Sequence, residues 1–125
     1  MHNILVVEDD LFNQELISEQ IEDMDVGDVA TAGNGRIALG EIRQQMPDLI
    51  VLDLNMPEMN GFQLIEELRG AGHTMPIVVI TAMDLRREDY DFFKANSVTR
   101  VFEKGRYSAD EFEHSLSNAL QGASS

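Results

Sequence analysis

Five short apolar runs, each followed by a stretch with helical spacing, limit this chain to few architectures: Ile4–Val7, Val26–Thr31, Leu49–Leu52, Ile77–Ile80 and Val98–Phe102. Runs such as ILVV, LIVL and IVVI are apolar at every position. That is the pattern of strands covered on both faces by helices in a parallel sheet. The second and fifth runs are more mixed, which places them nearer the sheet edges.

Between the runs, Leu16, Ile17, Ile21 and Met24 form one apolar stripe, and Ile37, Ala38, Ile42 and Met46 form another. Phe62, Ile65 and Leu68 repeat the pattern after Gly61, and Phe112, Leu116 and Leu120 repeat it near the C-terminus. Ser108 and Glu111 stand at capping-box spacing before that last helix. Pro47 and Pro76 each close a helical segment shortly before a strand run. The fourth helix, about Asp84 to Ala95, has a charged opening and a weak apolar face, so it is expected to be the least firmly docked.

Five strand–helix units in 125 residues imply an α/β fold, a three-layer αβα sandwich with right-handed crossovers and short loops. One domain over 1–125 is expected, with its core at about 3–121 and a flexible tail at 122–125. No apolar run approaches the roughly 20 residues of a membrane helix. The opening MHNILVVEDD turns acidic where a signal peptide would stay apolar, so a cytoplasmic location is expected. The chain has no cysteine, which removes disulfides and thiolate chemistry. A formal charge of −14 opposes direct contact with nucleic acid or an anionic membrane.

In such folds ligands bind outside the carboxyl ends of the strands, where the strand order reverses. The first run leads straight into Glu8, Asp9 and Asp10, and the third ends at Asp53. If the order is 2-1-3-4-5, runs one and three are neighbours and these acids converge. Carboxylates about 4 Å apart repel by roughly 4 kcal/mol at an effective dielectric of 20, so a bare cluster calls for a cation. Oxygen donors without His or Cys suit a hard ion such as Mg²⁺. Taken alone, the acidic triplet reads equally well as an N-cap for the first helix, a role that suits Asp10. Thr81 follows the fourth run and Lys104 the fifth. Each alone is an ordinary strand-end or solvated residue, but together they place a hydroxyl and an ammonium at the same crevice.

The segments ILVVEDD, LIVLDLNMPEMNGFQLIEELR, PIVVITA and VFEK, in this order and spacing, resemble the receiver domains of bacterial two-component response regulators. The resemblance runs from about Ile4 to Leu120, and its most specific element is DLNMPEMNG at 53–61. It implies the flavodoxin-like order 2-1-3-4-5 and a signalling switch that catalyses its own phosphoryl transfer and dephosphorylation. Asp53 would be the phosphoacceptor. Asp9 would ligate Mg²⁺ directly, Glu8 through water, and the backbone carbonyl of Asn55 would complete the protein's share. Thr81 and Lys104 would engage phosphoryl oxygens, while Pro57 and Gly61 would shape the loop beyond the acceptor. The implied partners are a histidine kinase or histidine phosphotransfer protein and a downstream effector domain or protein. A weak homodimer is compatible with the resemblance.

Two positions depart from the family pattern. Gly105 follows Lys104 where most receivers have proline after a cis bond, so a trans bond and a differently shaped loop are expected. Val101 stands three positions before the lysine, where the family usually has its aromatic switch residue. Phe102 is adjacent and by alternation faces the other side of the sheet. Signal output is therefore expected to pass through the fourth helix or the loop around Gly105.

Three other functions share the fold. A phosphorylation-independent interaction module would be expected to lose part of the set Glu8, Asp9, Asp53, Thr81 and Lys104, which is complete here. A Mg²⁺-dependent phosphatase would need a cap insertion, and no connection is long enough. A flavin carrier would place a phosphate-binding loop where this chain has acids.

Overall fold

The computed structural model describes residues 2–124. Five strands alternate with five helices: β1 (His2–Val7), α1 (Leu11–Asp23), β2 (Gly27–Ala32), α2 (Gly35–Gln44), β3 (Leu49–Leu52), α3 (Gly61–Gly70), β4 (Ile77–Thr81), α4 (Arg87–Ala95), β5 (Arg100–Glu103) and α5 (Ala109–Ser124). All strand pairs are parallel and the sheet order is β2-β1-β3-β4-β5, as the resemblance implied. The mixed strands β2 and β5 are the edges. Residues 122–124, expected within the tail, continue the backbone of α5, and residue 125 lies outside the described residues.

The pleat divides the apolar runs between two cores. Leu5, Val7, Ile50, Leu52, Ile77 and Val79 point to the side covered by α2, α3 and α4. Ile4, Val6, Leu49, Val51, Val78 and Ile80 point to the side covered by α1 and α5. Each fully buried aliphatic side chain contributes roughly 1.5–3 kcal/mol of transfer free energy, so continuous apolar strands are what a doubly covered sheet selects. Val101 and Phe102 fall on opposite sides, as alternation requires.

Local sequence sets the helix starts. The Asp10 carboxylate accepts from the N–H groups of Phe12 and Asn13 at 2.9 and 3.2 Å. Asn60 and Gln63 close a reciprocal capping box on α3. The Glu111 N–H donates to Ser108 Oγ at 3.1 Å, which confirms the cap expected on α5.

Three stripe residues turn out to be exposed. Leu16 is 50% exposed because it shares the outer face of α1 with Phe12, one step off the Ile17–Ile21–Met24 stripe that meets the sheet. Ile37 lies on the first turn of α2, beside rather than on the inward Ala38–Ile42 face, and Met46 lies beyond the end of that helix. Helix α4 begins at Arg87 and buries Phe93 alone.

Candidate functional site

Backbone hydrogen bonds just past the strand ends decide where the acids sit. Asp53 N–H donates to the Val7 carbonyl at 2.9 Å, and Glu8 N–H donates to that of Ala32 at 3.0 Å. Both residues are therefore held in the ladder one step beyond their strands. Lys104 N–H donates to the Thr81 carbonyl at 2.7 Å, which brings the end of β5 level with the end of β4. Behind β3, Gly61 N–H donates to the Leu54 carbonyl at 3.0 Å. A Cβ at Gly61 would stand 2.7 Å from the carbonyl oxygen of Asp53 and 2.7 Å from Leu54 Cα, so only glycine lets α3 start this close.

Carboxylate oxygens of Glu8, Asp9 and Asp53 all lie within 4.8 Å of one another. Glu8 is 1% exposed and Asp53 7%, whereas Asp9 faces solvent. Lys104 Nζ sits 2.9 Å from Glu8 Oε1 and 3.8 Å from Asp53 Oδ2. The other oxygen of Glu8, Oε2, is buried without a hydrogen-bond partner. Burial first, and the neighbouring Asp53 second, push the Glu8 carboxyl above its ordinary range against the pull of Lys104. For Lys104, burial works downward, but the hydrogen bond to Glu8 and the fields of Asp53, Glu8 and Asp10 outweigh it and raise its pKa.

Glu8, Asp9, Asp53, Asn55 and Lys104 line an open pocket of about 330 Å³, together with Asp10, Asn13, Ala82 and Met83. Thr81 is brought to the same strand end but is fully buried, and its Oγ1 accepts the Met83 N–H at 3.1 Å. Asn13 and Met83 were not legible as pocket residues by type. Position alone could have found them, since Asn13 lies on the turn that Asp10 caps and Met83 stands two residues past Thr81. Asp10 both caps α1 and lines the pocket. Among the described residues no peptide bond is cis, and Gly105 has φ +81°, a conformation closed to proline. His114 is exposed, and His73 lines a larger groove of about 720 Å³ at the amino ends of β3, β4 and β5, away from the acids.

Three carboxylates with one orphaned buried oxygen and no nitrogen or sulfur donor suit a hard divalent cation. The carboxylates of Glu8, Asp9 and Asp53 are the groups able to hold it.

The family model described as the response regulator receiver domain matches residues 4–115. The chain is 40% identical over 84 residues to the transcriptional regulatory protein CiaR of Streptococcus pneumoniae, covering 67% of this chain and 37% of that protein. It is 37% identical over 105 residues to a protein-glutamate methylesterase/protein-glutamine glutaminase of Halobacterium salinarum, covering 84% of this chain and 28% of that one. Among solved structures, the BeF3-activated N-terminal receiver domain of Klebsiella pneumoniae RstA superimposes with a TM-score of 0.83 at 28% identity, covering 95% of this chain and 98% of that one. The chain thus spans well under half the length of the curated relatives it matches.

Proposed function

This chain belongs to the response regulator receiver family, and from that premise we propose that it is a phosphoacceptor switch in which Asp53 takes a phosphoryl group in a Mg²⁺-dependent reaction. The observation that carries the reading is the meeting of Glu8, Asp9, Asp53 and Lys104 at one pocket, drawn from the ends of three strands. The completeness of that set favours this reading over a phosphorylation-independent module.

Glu8, Asp9, Asp53 and the backbone carbonyl of Asn55 are the groups that would hold Mg²⁺. When bound, the ion supplies charge neutralisation for phosphoryl oxygens. Asp53 supplies the nucleophile, one carboxylate oxygen attacking phosphorus while the P–N bond of a phosphohistidine breaks and its electron pair leaves with the imidazole. Lys104, already within 3.8 Å of Asp53, is placed to pair with an oxygen of the new acyl phosphate. The Thr81 hydroxyl accepts the Met83 N–H and keeps its own hydrogen to donate to a phosphoryl oxygen. Because the transition state is loose and rich in charge, positioning and electrostatics are what the site must contribute.

The phosphodonor in this reading is a histidine kinase or phosphotransfer protein, and a downstream effector domain or protein reads the switch. The charge of −14 argues against direct nucleic-acid contact by this domain. No helix among the described residues is long and apolar enough to cross a membrane. A cytoplasmic location agrees with the kinase partner. Incubation with acetyl phosphate and Mg²⁺ should give an adduct that survives acid and is lost in base. Asp53→Ala should abolish it, and labelling that persists in that variant would refute the assignment.

A further inference from the structure

Two of the pocket's acids, Glu8 and Asp9, stand on the turn between β1 and α1, just past the end of the sheet. Glu8 N–H still joins the ladder, donating to the Ala32 carbonyl at 3.0 Å. The Glu8 carbonyl accepts instead from a side chain: Gln14 Nε2, on the first turn of α1, donates to it at 3.0 Å. The main-chain N–H of Gln14 donates to the Asp10 carbonyl at 2.9 Å. One half-buried residue thus binds the chain on both sides of Asp9, its side chain at Glu8 and its backbone at Asp10. The backbone bond is the ordinary first bond of a helix and any residue but proline would make it. The side-chain bond depends on glutamine.

We propose that Gln14 is a positioning residue for Mg²⁺, its amide fixing the peptide between Glu8 and Asp9 so that both carboxylates face Asp53. This role rests on the reading of Glu8, Asp9 and Asp53 as the Mg²⁺ site. A carbonyl held in place fixes the plane of its peptide, because the C–N bond does not turn freely. That plane sets the directions in which the flanking side chains leave the backbone, here those of Glu8 and Asp9. Without the bond the turn has reason to open, since its carboxylates and that of Asp53 come within 4.8 Å and repel. The residue type suits the task. An amide donates without carrying charge, so it neither adds to the repulsion as a glutamate would nor competes with the cation as a lysine would.

Gln14→Met keeps a long, helix-favouring side chain and removes its donor. Gln20→Met is the control, since Gln20 lies on the same helix and its amide reaches Glu113 at 3.5 Å, away from the acids. In calorimetric titration with Mg²⁺ alone, Gln14→Met should bind about tenfold more weakly than wild type, the scale usual for a group that orients a metal ligand. Gln20→Met should bind as wild type does. Labelling of Asp53 by acetyl phosphate should slow in Gln14→Met at low Mg²⁺ and recover at saturating Mg²⁺. An unchanged Mg²⁺ affinity in Gln14→Met overturns the positioning role and leaves the metal site intact. An equal loss in both variants also overturns it, by showing a general loosening of α1, as does labelling that stays slow at saturating Mg²⁺. Wild-type Mg²⁺ binding that is indifferent to Asp9→Ala overturns the metal site and the role of Gln14 with it.

Discussion

Replacing Glu8 with glutamine should make the metal-free protein more stable, although it neutralises a group that pairs with lysine at 2.9 Å. At an effective dielectric of 20 that pair is worth about 6 kcal/mol of attraction. Asp9 and Asp53, with carboxylate oxygens within 4.8 Å, each return about 3.5 kcal/mol of repulsion or more. Attraction and repulsion nearly cancel. What remains is the desolvation of a carboxylate that is 1% exposed, with one buried oxygen unpartnered, a cost of about 1–3 kcal/mol. Glutamine keeps an oxygen for Lys104 and turns the orphaned acceptor into a donor facing the acids. The expected gain is about 1–2 kcal/mol, or roughly 3–6 °C in melting temperature per kcal/mol for a chain of this size. The sign with pH follows from the raised pKa of Glu8. Its protonated form is favoured by folding, so this contribution is full below the ordinary value of 4.5 and is lost as pH rises through the folded value. The two proteins should therefore converge in acid and diverge toward neutrality. Mg²⁺ reverses the order, because a ligand at 100 times its Kd adds about 2.7 kcal/mol to wild type and the variant lacks one of the acids. Thermal melts in EDTA and in Mg²⁺ across pH 4–8 decide the matter. A variant less stable than wild type in EDTA at neutral pH, or a difference indifferent to pH, would show that Lys104 outweighs the other charges.

Gly61→Ala should cost about 1–3 kcal/mol in urea unfolding and slow labelling of Asp53, because the new methyl meets backbone atoms at 2.7 Å. Wild-type stability in that variant would mean that α3 can retreat from β3 without penalty. Gly105→Pro, which restores the usual family residue, should lower both stability and labelling, since φ +81° lies outside the range of proline. Undiminished labelling would show that the loop conformation does not matter to the site. The phenol of Tyr90 should ionise above its ordinary value of 10, held up by burial and then by Glu103 and Asp89 against Arg106. Because the protonated phenol donates the bond to Glu103, that bond persists through neutrality and is lost as pH climbs past that value, readable at 295 nm in Tyr107→Phe. An unchanged titration after adding Glu103→Gln would remove Glu103 as the cause.

The parts of this molecule legible in its sequence are those set by patterns local to one element. Continuous apolar runs mark β1, β3 and β4 as doubly covered, and the polar residue types at their carboxyl ends mark the pocket. Caps such as Asp10 and Ser108 are likewise local, so they read correctly. Leu16 and Ile37 misled because a spacing of three to five admits more residues to a stripe than a helix can turn inward. What could not be read is how groups from different strands share one another. Lys104 could be foreseen at the crevice, but not that it would bind Glu8 more closely than Asp53, nor that Thr81 Oγ1 would accept the Met83 N–H.

Those unforeseen pairings describe a site whose ammonium is already engaged with carboxylates beside the pocket. In the proposed switch the ammonium held by Glu8 has to exchange a partner before it can serve a phosphoryl group, whereas the Thr81 hydroxyl, accepting from a backbone N–H, still has its hydrogen to donate. Such an exchange would convert a change of charge at one carboxylate into displacement of the segment that carries Lys104. That segment joins β5 to α5, and Glu103 just before it accepts from Tyr90 of α4. A free ammonium would let the phosphoryl group bind without moving anything, so in the proposed switch the pairing that partly offsets the pocket's carboxylates gives modification a mechanical consequence.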